Sequence, residues 1–375
     1  MDTNSPRAEY WDYLRPVYRE TVADAFGMKV DDKKYPGQRH RFLQQMSYVG
    51  LKSFKSVIYP AVALRGNSAE SVISRNITVY VPAYGHEITR SFHIALGGQQ
   101  KMMNPVCDAG TVFNTGITLF DRALDSSECA GSLKTLVTYD YLLEIIAEKQ
   151  ERKKDVVSDN PLVQIVVALV NEYFIRCHEL LEMSSRTSVW EEHTRSLLAL
   201  FLNALKGVTY SFVNHVPTQK TYTFVLERAL AFSKILALDC LLSPDTDADL
   251  VCSEVFDPLL DLGKVFVILD DIRDLPDDIE RGLWSYVSVK AQLDYGVQVL
   301  ENAQKKEDKK LLREILSTRA VLKSMEDVFM YYTRAFDHLQ KFIPLQRVYP
   351  LQNFIKKILT YSLNLKEESH GQGQH

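Results

Sequence analysis

From His86 to Leu365 the chain repeats its apolar residues at intervals of three and four positions, and this period constrains the fold more than any other feature. Such spacing places apolar side chains along one face of an α-helix. Prolines and polar turns separate the helical segments, and Leu275-Pro276 is expected to end one of them. The segments lie at 86–97, 105–126, 131–150, 160–183, 188–206, 220–242, 253–275, 284–302, 307–342 and 350–365. The sequence therefore predicts an all-α domain of about ten helices.

The region before His86 is less regular. Residues 71–84 are rich in β-branched side chains and carry Pro82 near their end, which favours a short strand or an extended segment. We expect an N-terminal extension of mixed structure at 1–85, one helical domain at 86–365 and a disordered tail at 366–375.

Composition and charge exclude several classes of protein. The formal net charge of −4 gives no electrostatic basis for binding nucleic acid. The N-terminus has no basic stretch followed by an apolar run, and no apolar run reaches the roughly 18 residues of a membrane span. The 5 cysteines are scattered and have no C-x-x-C spacing, which is typical of reduced thiols. We therefore expect a soluble, cytoplasmic protein.

Two groups of aspartates stand out because each follows an apolar helical run. Asp121 and Asp125 close one run, and Asp270, Asp271 and Asp274 close another. Residues four apart share a helix face, so each group would present at least two carboxylates side by side. Like charges at that spacing repel each other and favour a bound cation.

A magnesium ion is the cation that fits these groups best, because it prefers carboxylate, water and phosphate oxygens. Two such groups facing one cavity would bind a diphosphate through metal ions and stabilise charge on it as it leaves. The alternative is that both groups are solvated acids at helix ends, a common use of this spacing.

With these residues the sequence resembles the superfamily of trans-isoprenyl diphosphate synthases and class I terpene synthases. Gly263, Phe266, Asp270, Asp271 and Asp274 match the family's second aspartate motif, Gly-x-x-Phe-Gln-x-x-Asp-Asp-x-x-Asp. Asp121 and Asp125 match the first motif, whose second aspartate is replaced by Arg122. The resemblance covers approximately residues 86–300. It implies an isoprenoid-synthase-type helical bundle around a central cavity, a catalytic domain at 86–365, three magnesium ions bound with the diphosphate, and a homodimer.

The departures from the family concern the cations that hold a second substrate. The Gly-Gly-Lys-x-x-Arg-Pro element that binds isopentenyl diphosphate is reduced to Gly97-Gly98 with Lys101 displaced, and the Arg-Arg-Gly after the first motif is absent. The lysine of the family's Gly-Lys-x-Thr-Tyr-Pro becomes Leu283. An enzyme that joins two diphosphates needs both sets of cations. Their loss favours a cyclase, which ionises a single substrate.

The resemblance then implies a terpene cyclase that acts on farnesyl diphosphate and forms a sesquiterpene hydrocarbon. The altered first motif and the N-terminal extension resemble the fungal humulene synthases of tropolone-sesquiterpenoid pathways. Aromatic faces stabilise carbocations as they do other cations. The candidate pocket residues are Phe113, Asn114, Ile117, Phe266, Trp284 and Tyr286, and Phe120 is a further wall candidate.

Diphosphate-binding candidates come from the same resemblance. Arg228 lies near the position of the family's Lys-Thr pair and of a cyclase sensor arginine, while Arg347 and Tyr349 are similar to the Arg-Tyr pair that closes many class I sites. Arg334 is a rival of Arg347. An ordinary surface arginine is the alternative for Arg228.

Two other functions remain open. A prenyltransferase would join the allylic diphosphate to isopentenyl diphosphate or another acceptor, with Lys101 and Lys134 replacing the missing cations. A regulatory subunit would keep the fold without turnover, although an intact aspartate group at 270–274 argues against it.

Overall fold

The computed structural model describes residues 6–27, 35–63, 75–147, 158–207, 217–227, 231–250, 253–304 and 308–361. Within these ranges the chain is almost entirely helical and no strand occurs, so the prediction of an all-α protein is confirmed. No described helix combines the length and apolar character that a membrane span requires.

The α-helices of the described residues are more numerous than the sequence pattern predicted. They are α1 (Pro6–Phe26), α2 (Tyr35–Ser53), α3 (Tyr59–Ala63), α4 (Arg75–Ala95), α5 (Met103–Asp125), α6 (Ser127–Leu136), α7 (Tyr139–Ala147), α8 (Pro161–Ser184), α9 (Thr187–Gly207), α10 (Gln219–Glu227), α11 (Ala231–Leu241), α12 (Ser253–Arg281), α13 (Tyr286–Tyr295), α14 (Val299–Gln304), α15 (Asp308–Ser317), α16 (Ala320–Phe342) and α17 (Leu345–Tyr361).

The prediction of a strand or extended segment at 71–84 is wrong for the described part, because α4 begins at Arg75 and runs through Pro82. Ile77 and Val79 of this segment are buried, and burial outweighs β propensity. The proline removes one backbone donor, and the Asn114 side chain donates to the nearby Val81 carbonyl over 2.7 Å.

The prediction that Leu275-Pro276 ends a helix is also wrong. Helix α12 continues through Pro276 to Arg281. Proline cannot donate to the carbonyl four residues earlier, which is that of Ile272. The buried Tyr10 hydroxyl donates to this carbonyl instead, so the missing hydrogen bond is replaced from α1.

The chain divides into two compact units. The first unit contains Met1–Asp32, Asn203–Ser233 and Asp257–His338, and the second contains Lys33–Leu202, Lys234–Phe256 and Leu339–His375. The predicted boundary after residue 85 falls inside α4, and the predicted tail at 366–375 lies outside the described residues. The domain organisation drawn from the sequence stays a prediction.

Glycine allows a close helix contact in the second unit, between α4 and α5. A Cβ on Gly85 would lie 2.8 Å from the Gly110 carbonyl oxygen, and one on Gly110 would lie 1.9 Å from the Thr89 hydroxyl. Real Cβ atoms do not approach this closely, so both positions require glycine. This contact fixes α5, the helix that carries Asp121 and Asp125.

In the first unit, the N-terminal part of α1 is bound to later helices. The Arg7 guanidinium donates to Asp277 over 3.1 Å, and Arg313 donates to both oxygens of Glu9 over 2.9 and 3.0 Å. Together with the Tyr10 hydrogen bond to Ile272, these contacts hold the start of α1 against α12 and α15.

Candidate functional site

The first acidic cluster, Asp121 and Asp125, lies at the C-terminal end of α5 in the second unit. Both side chains are exposed, whereas Ala123 and Leu124 between them are buried. The C-terminal end of a helix carries partial negative charge, so carboxylates there are disfavoured unless a cation compensates them. The cluster is thus an open, oxygen-only donor pair at a position that favours a cation.

The apolar face of α5 anchors this cluster. The Phe120 ring, which is fully buried, meets the Phe201 ring edge-on at a centroid distance of 5.1 Å. One turn earlier, Ile117 is partly exposed. Two turns earlier, the Phe113 ring packs on the Tyr173 ring at a centroid distance of 5.1 Å.

The second acidic cluster lies within α12 in the first unit, not at its end. Asp270 is exposed, with its carboxylate 3.7 Å from the Arg273 guanidinium, and Asp274 is half-buried on the same face. The neighbouring Leu269, Ile272 and Leu275 are buried, so the helix is fixed by its apolar side.

Asp271 differs from its neighbours because its side chain is buried, with 1% exposure. It accepts a hydrogen bond of 2.5 Å from the backbone N–H of Tyr286, at the start of α13. This bond joins the aspartate motif to the next helix. The metal-binding role predicted for Asp271 stays a prediction, and the carboxylate already has a structural partner.

Tyr286 is also part of a polar network. Its hydroxyl donates to Asp327 over 2.9 Å and lies 2.5 Å from the Tyr222 hydroxyl, while the Lys290 ammonium is 3.2 Å from Asp327. Burial, together with the hydrogen bond to Tyr222 and the Asp327 charge, raises the pKa of Tyr286. Burial would lower the pKa of Lys290, but Tyr222 and Asp327 raise it, so the lysine stays protonated.

The predicted pocket residues fall into two groups. Phe113, Trp284 and Tyr286 have 3%, 3% and 1% exposure, so in this structure their rings pack as core. Asn114, Ile117 and Phe266 keep partial exposure. Phe266 also packs edge-on against Phe232 at 6.0 Å.

The predicted diphosphate-binding residues near the C-terminus are placed differently from each other. Arg347 donates through Nε to the Ala95 carbonyl over 3.1 Å and packs over Gly97, where a Cβ would lie 2.2 Å from its Nη2 atom. Gly97 has a φ of +86°, so both its backbone conformation and the nearby guanidinium require glycine at this position. Tyr349 is 60% exposed.

Arg334, the rival of Arg347, is engaged elsewhere. Its guanidinium donates to both carboxylate oxygens of Asp261 over 2.6 and 2.5 Å. Arg228 lies outside the described residues. Lys101 and Lys134 are both exposed in the second unit.

A Lys-Thr pair that the sequence analysis did not single out, Lys220-Thr221, stands in the first turn of α10. Thr221 is buried, whereas the Lys220 side chain is exposed.

Comparison with known proteins supports the fold alone. The sequence matches no family model and no curated protein. Among solved structures, geranylgeranyl pyrophosphate synthase from Lactobacillus brevis superposes with a TM-score of 0.55 at 12% identity, covering 93% of this chain and 97% of that chain. The same enzyme in complex with citrate gives a TM-score of 0.55 at 12% identity, covering 88% of this chain and 97% of that chain. The fold of this chain is that of an all-α isoprenyl diphosphate synthase.

Proposed function

We propose that this protein is a class I terpene cyclase that ionises farnesyl diphosphate and forms a sesquiterpene hydrocarbon of the humulene type. The observation that carries the proposal is the pair of acidic clusters, each with two same-face carboxylates, on a fold shared with a geranylgeranyl pyrophosphate synthase. The loss of the second-substrate cations favours a cyclase over an elongating enzyme.

In the proposed reaction, the allylic C–O bond breaks and the diphosphate leaves with the electron pair. The resulting cation closes a ring on a double bond of its own chain, and loss of a proton gives the hydrocarbon. Magnesium ions, when bound with the substrate, neutralise charge on the departing diphosphate. Asp121, Asp125, Asp270 and Asp274 fit such ions because they offer only oxygen donors and keep accessible surface.

We propose that the Lys220 ammonium, not the Arg347 guanidinium, supplies a protein cation for the diphosphate. Lys220 is exposed and lies in the first turn of α10, while Arg347 is engaged with the Ala95 carbonyl. Arg228 keeps its predicted role as a further candidate. A homodimer, a cytoplasmic location and the predicted role of Tyr349 belong to the same proposal.

The second candidate is a prenyltransferase that adds isopentenyl diphosphate to the allylic substrate. The similarity to structures named geranylgeranyl pyrophosphate synthase favours it, and so does the exposed Lys101 close to Gly97-Gly98. A subunit without turnover is the third.

One experiment separates the three. The purified full chain is incubated with magnesium and geranyl, farnesyl or geranylgeranyl diphosphate, with and without isopentenyl diphosphate, and volatiles and chain lengths are analysed. A cyclic hydrocarbon formed without isopentenyl diphosphate supports the cyclase. Longer diphosphates formed only in its presence would replace the cyclase with the prenyltransferase, and no turnover in any incubation would favour the subunit.

A further inference from the structure

A third group of reactive side chains lies in the second unit and plays no part in the proposed reaction. Tyr173 and Cys177 come from α8, His193 from α9 and Asp239 from α11. Tyr173 has 3% exposure and the other three have 0%. We call these four residues the buried cluster.

The side-chain donor atoms of the buried cluster converge on one carboxylate oxygen. Asp239 Oδ1 lies 2.7 Å from His193 Nε2, 2.7 Å from the Tyr173 hydroxyl and 3.8 Å from Cys177 Sγ. One donor atom each from Cys177, His193 and Asp239 all lie within 4.8 Å of one another. The side chains therefore meet at a point, although they come from three helices.

Hydrogen bonds within the buried cluster leave polar atoms unsatisfied. Among the described residues, Asp239 Oδ2 and His193 Nδ1 are buried and have no hydrogen-bond partner. A buried polar atom without a partner costs about 1–3 kcal/mol. An ion bound by both oxygens of this carboxylate would satisfy Asp239 Oδ2, whereas His193 Nδ1 is the ring nitrogen that would not face the ion. A buried carboxylate is stabilised far better by a bound cation.

We propose that Cys177, His193 and Asp239 bind a Zn²⁺ ion, with the Tyr173 hydroxyl beside the fourth coordination position. A thiolate, an imidazole and a carboxylate together are a donor set for zinc, whereas magnesium avoids sulfur. This ion is therefore different in kind and in place from the magnesium ions proposed at the acidic clusters.

The geometry needs only a small adjustment to take the ion. Ligand atoms on a tetrahedral zinc with N and O donors stand about 3.3 Å apart, so His193 Nε2 and Asp239 Oδ1 must separate by roughly half an ångström. The Cys177–Asp239 distance of 3.8 Å is already close to that of S and O ligands. Burial, and after it the Asp239 charge, raises the pKa of the Cys177 thiol, so zinc binding displaces a proton from it.

A zinc ion here would tie α8, α9 and α11 together. The site is shielded from solvent, because the Trp190 ring stacks on the His193 ring at a centroid distance of 5.4 Å and the Phe113 ring packs on the Tyr173 ring at 5.1 Å. These aromatic rings exclude water, and they orient the imidazole and the phenol.

The test is metal content and spectroscopy of the full chain. Protein produced in zinc-supplemented medium and dialysed against a weak chelator is expected to retain one zinc per chain. Replacement of zinc by Co²⁺ should give the visible bands of a tetrahedral ion together with a thiolate charge-transfer band in the near ultraviolet. Cys177→Ser should lose the charge-transfer band, and His193→Gln should lose the metal.

Two controls keep the outcome unambiguous. Cys129→Ser removes another buried thiol and should leave the cobalt spectrum unchanged. Asp274→Asn alters an acidic cluster and should retain the zinc. Wild-type protein that holds no stoichiometric zinc and shows no thiolate band with cobalt would overturn the proposal, as would a band that survives Cys177→Ser. This wild-type measurement decides the matter even where a variant fails to fold.

Discussion

The two acidic clusters have the same spacing but different supports. Asp121 and Asp125 occupy the last turns of α5, where the helix ends at Asp125, and Arg122 stands between them. Asp270 and Asp274 lie well inside α12, which continues to Arg281. Only the second cluster has a buried member, Asp271, that bonds to the next helix.

This difference shows that matching motifs do not imply matching rigidity. A helix end frays, and the helix dipole disfavours carboxylates at the C-terminal end. A cluster within a helix instead keeps its geometry when a metal binds. Preorganised groups contribute most to transition-state stabilisation. We therefore expect the Asp270–Asp274 cluster to contribute more to catalysis than the Asp121–Asp125 cluster.

The largest expected effect comes from the second cluster. Asp274→Asn removes a negative charge with little change in volume, and we expect kcat for farnesyl diphosphate to fall by about 10²–10³-fold. Steady-state assays at saturating magnesium measure this. Asp140→Asn, which changes an exposed acid of α7, is the charge-matched control, and full activity of Asp274→Asn would remove that residue from the metal site.

Tyr10→Phe tests the support of the same cluster. The change leaves the Ile272 carbonyl without the donor that replaces the missing proline N–H, so we expect the free energy of unfolding to drop by about 1–3 kcal/mol. Urea denaturation measures this change. Tyr13→Phe, on a partly exposed tyrosine of the same helix, should change stability much less, and equal effects of the two variants would contradict the role given to Tyr10.

Asp125→Asn tests the first cluster directly. Because this cluster is less constrained, we expect a loss of about tenfold in kcat, or about 1.4 kcal/mol of transition-state stabilisation. A loss as large as that of Asp274→Asn would show that helix position does not rank the two clusters. The same steady-state assay compares both variants.

The smallest expected effect concerns the ion pairs of Asp261 with Arg334 and Lys264, which belong to neither acidic cluster. Burial alone would raise the pKa of Asp261, but hydrogen bonds from Arg334 and Lys264 lower it. A lowered folded-state pKa adds stability at pH values above the unfolded pKa of about 3.9, and this contribution is lost as the pH falls through the folded-state pKa.

Asp261→Asn should therefore be less stable than the wild type near neutral pH, by less than about 1 kcal/mol because Arg334 is well exposed. The difference should shrink below about pH 4. Unfolding curves at several pH values check this, and a difference that grows in acid would contradict the assignment.

What the sequence predicted was mostly local. The apolar period identifies α5 and α12, and the spacing of four places Asp121 with Asp125 and Asp270 with Asp274, because a helix face depends only on neighbouring residues. The all-α fold follows from the same period.

What the sequence did not predict depends on distant residues. The continuation of α12 through Pro276 needs Tyr10, which is 262 positions from its acceptor at Ile272. The buried cluster joins Tyr173 to Asp239 across 66 positions, and nothing in the local pattern marks either residue. Trp284 is buried in this structure, and its role in lining a pocket stays a prediction because aromatic side chains serve both roles.

The most direct test of the proposed chemistry is the release of diphosphate from farnesyl diphosphate in magnesium buffer without isopentenyl diphosphate, followed together with the hydrocarbon formed. We expect equal amounts of diphosphate and cyclic hydrocarbon from the wild type, and almost none of either from the double variant that combines Asp270→Asn with Asp274→Asn. No release by the wild type, or undiminished release by the double variant, would contradict the proposed chemistry.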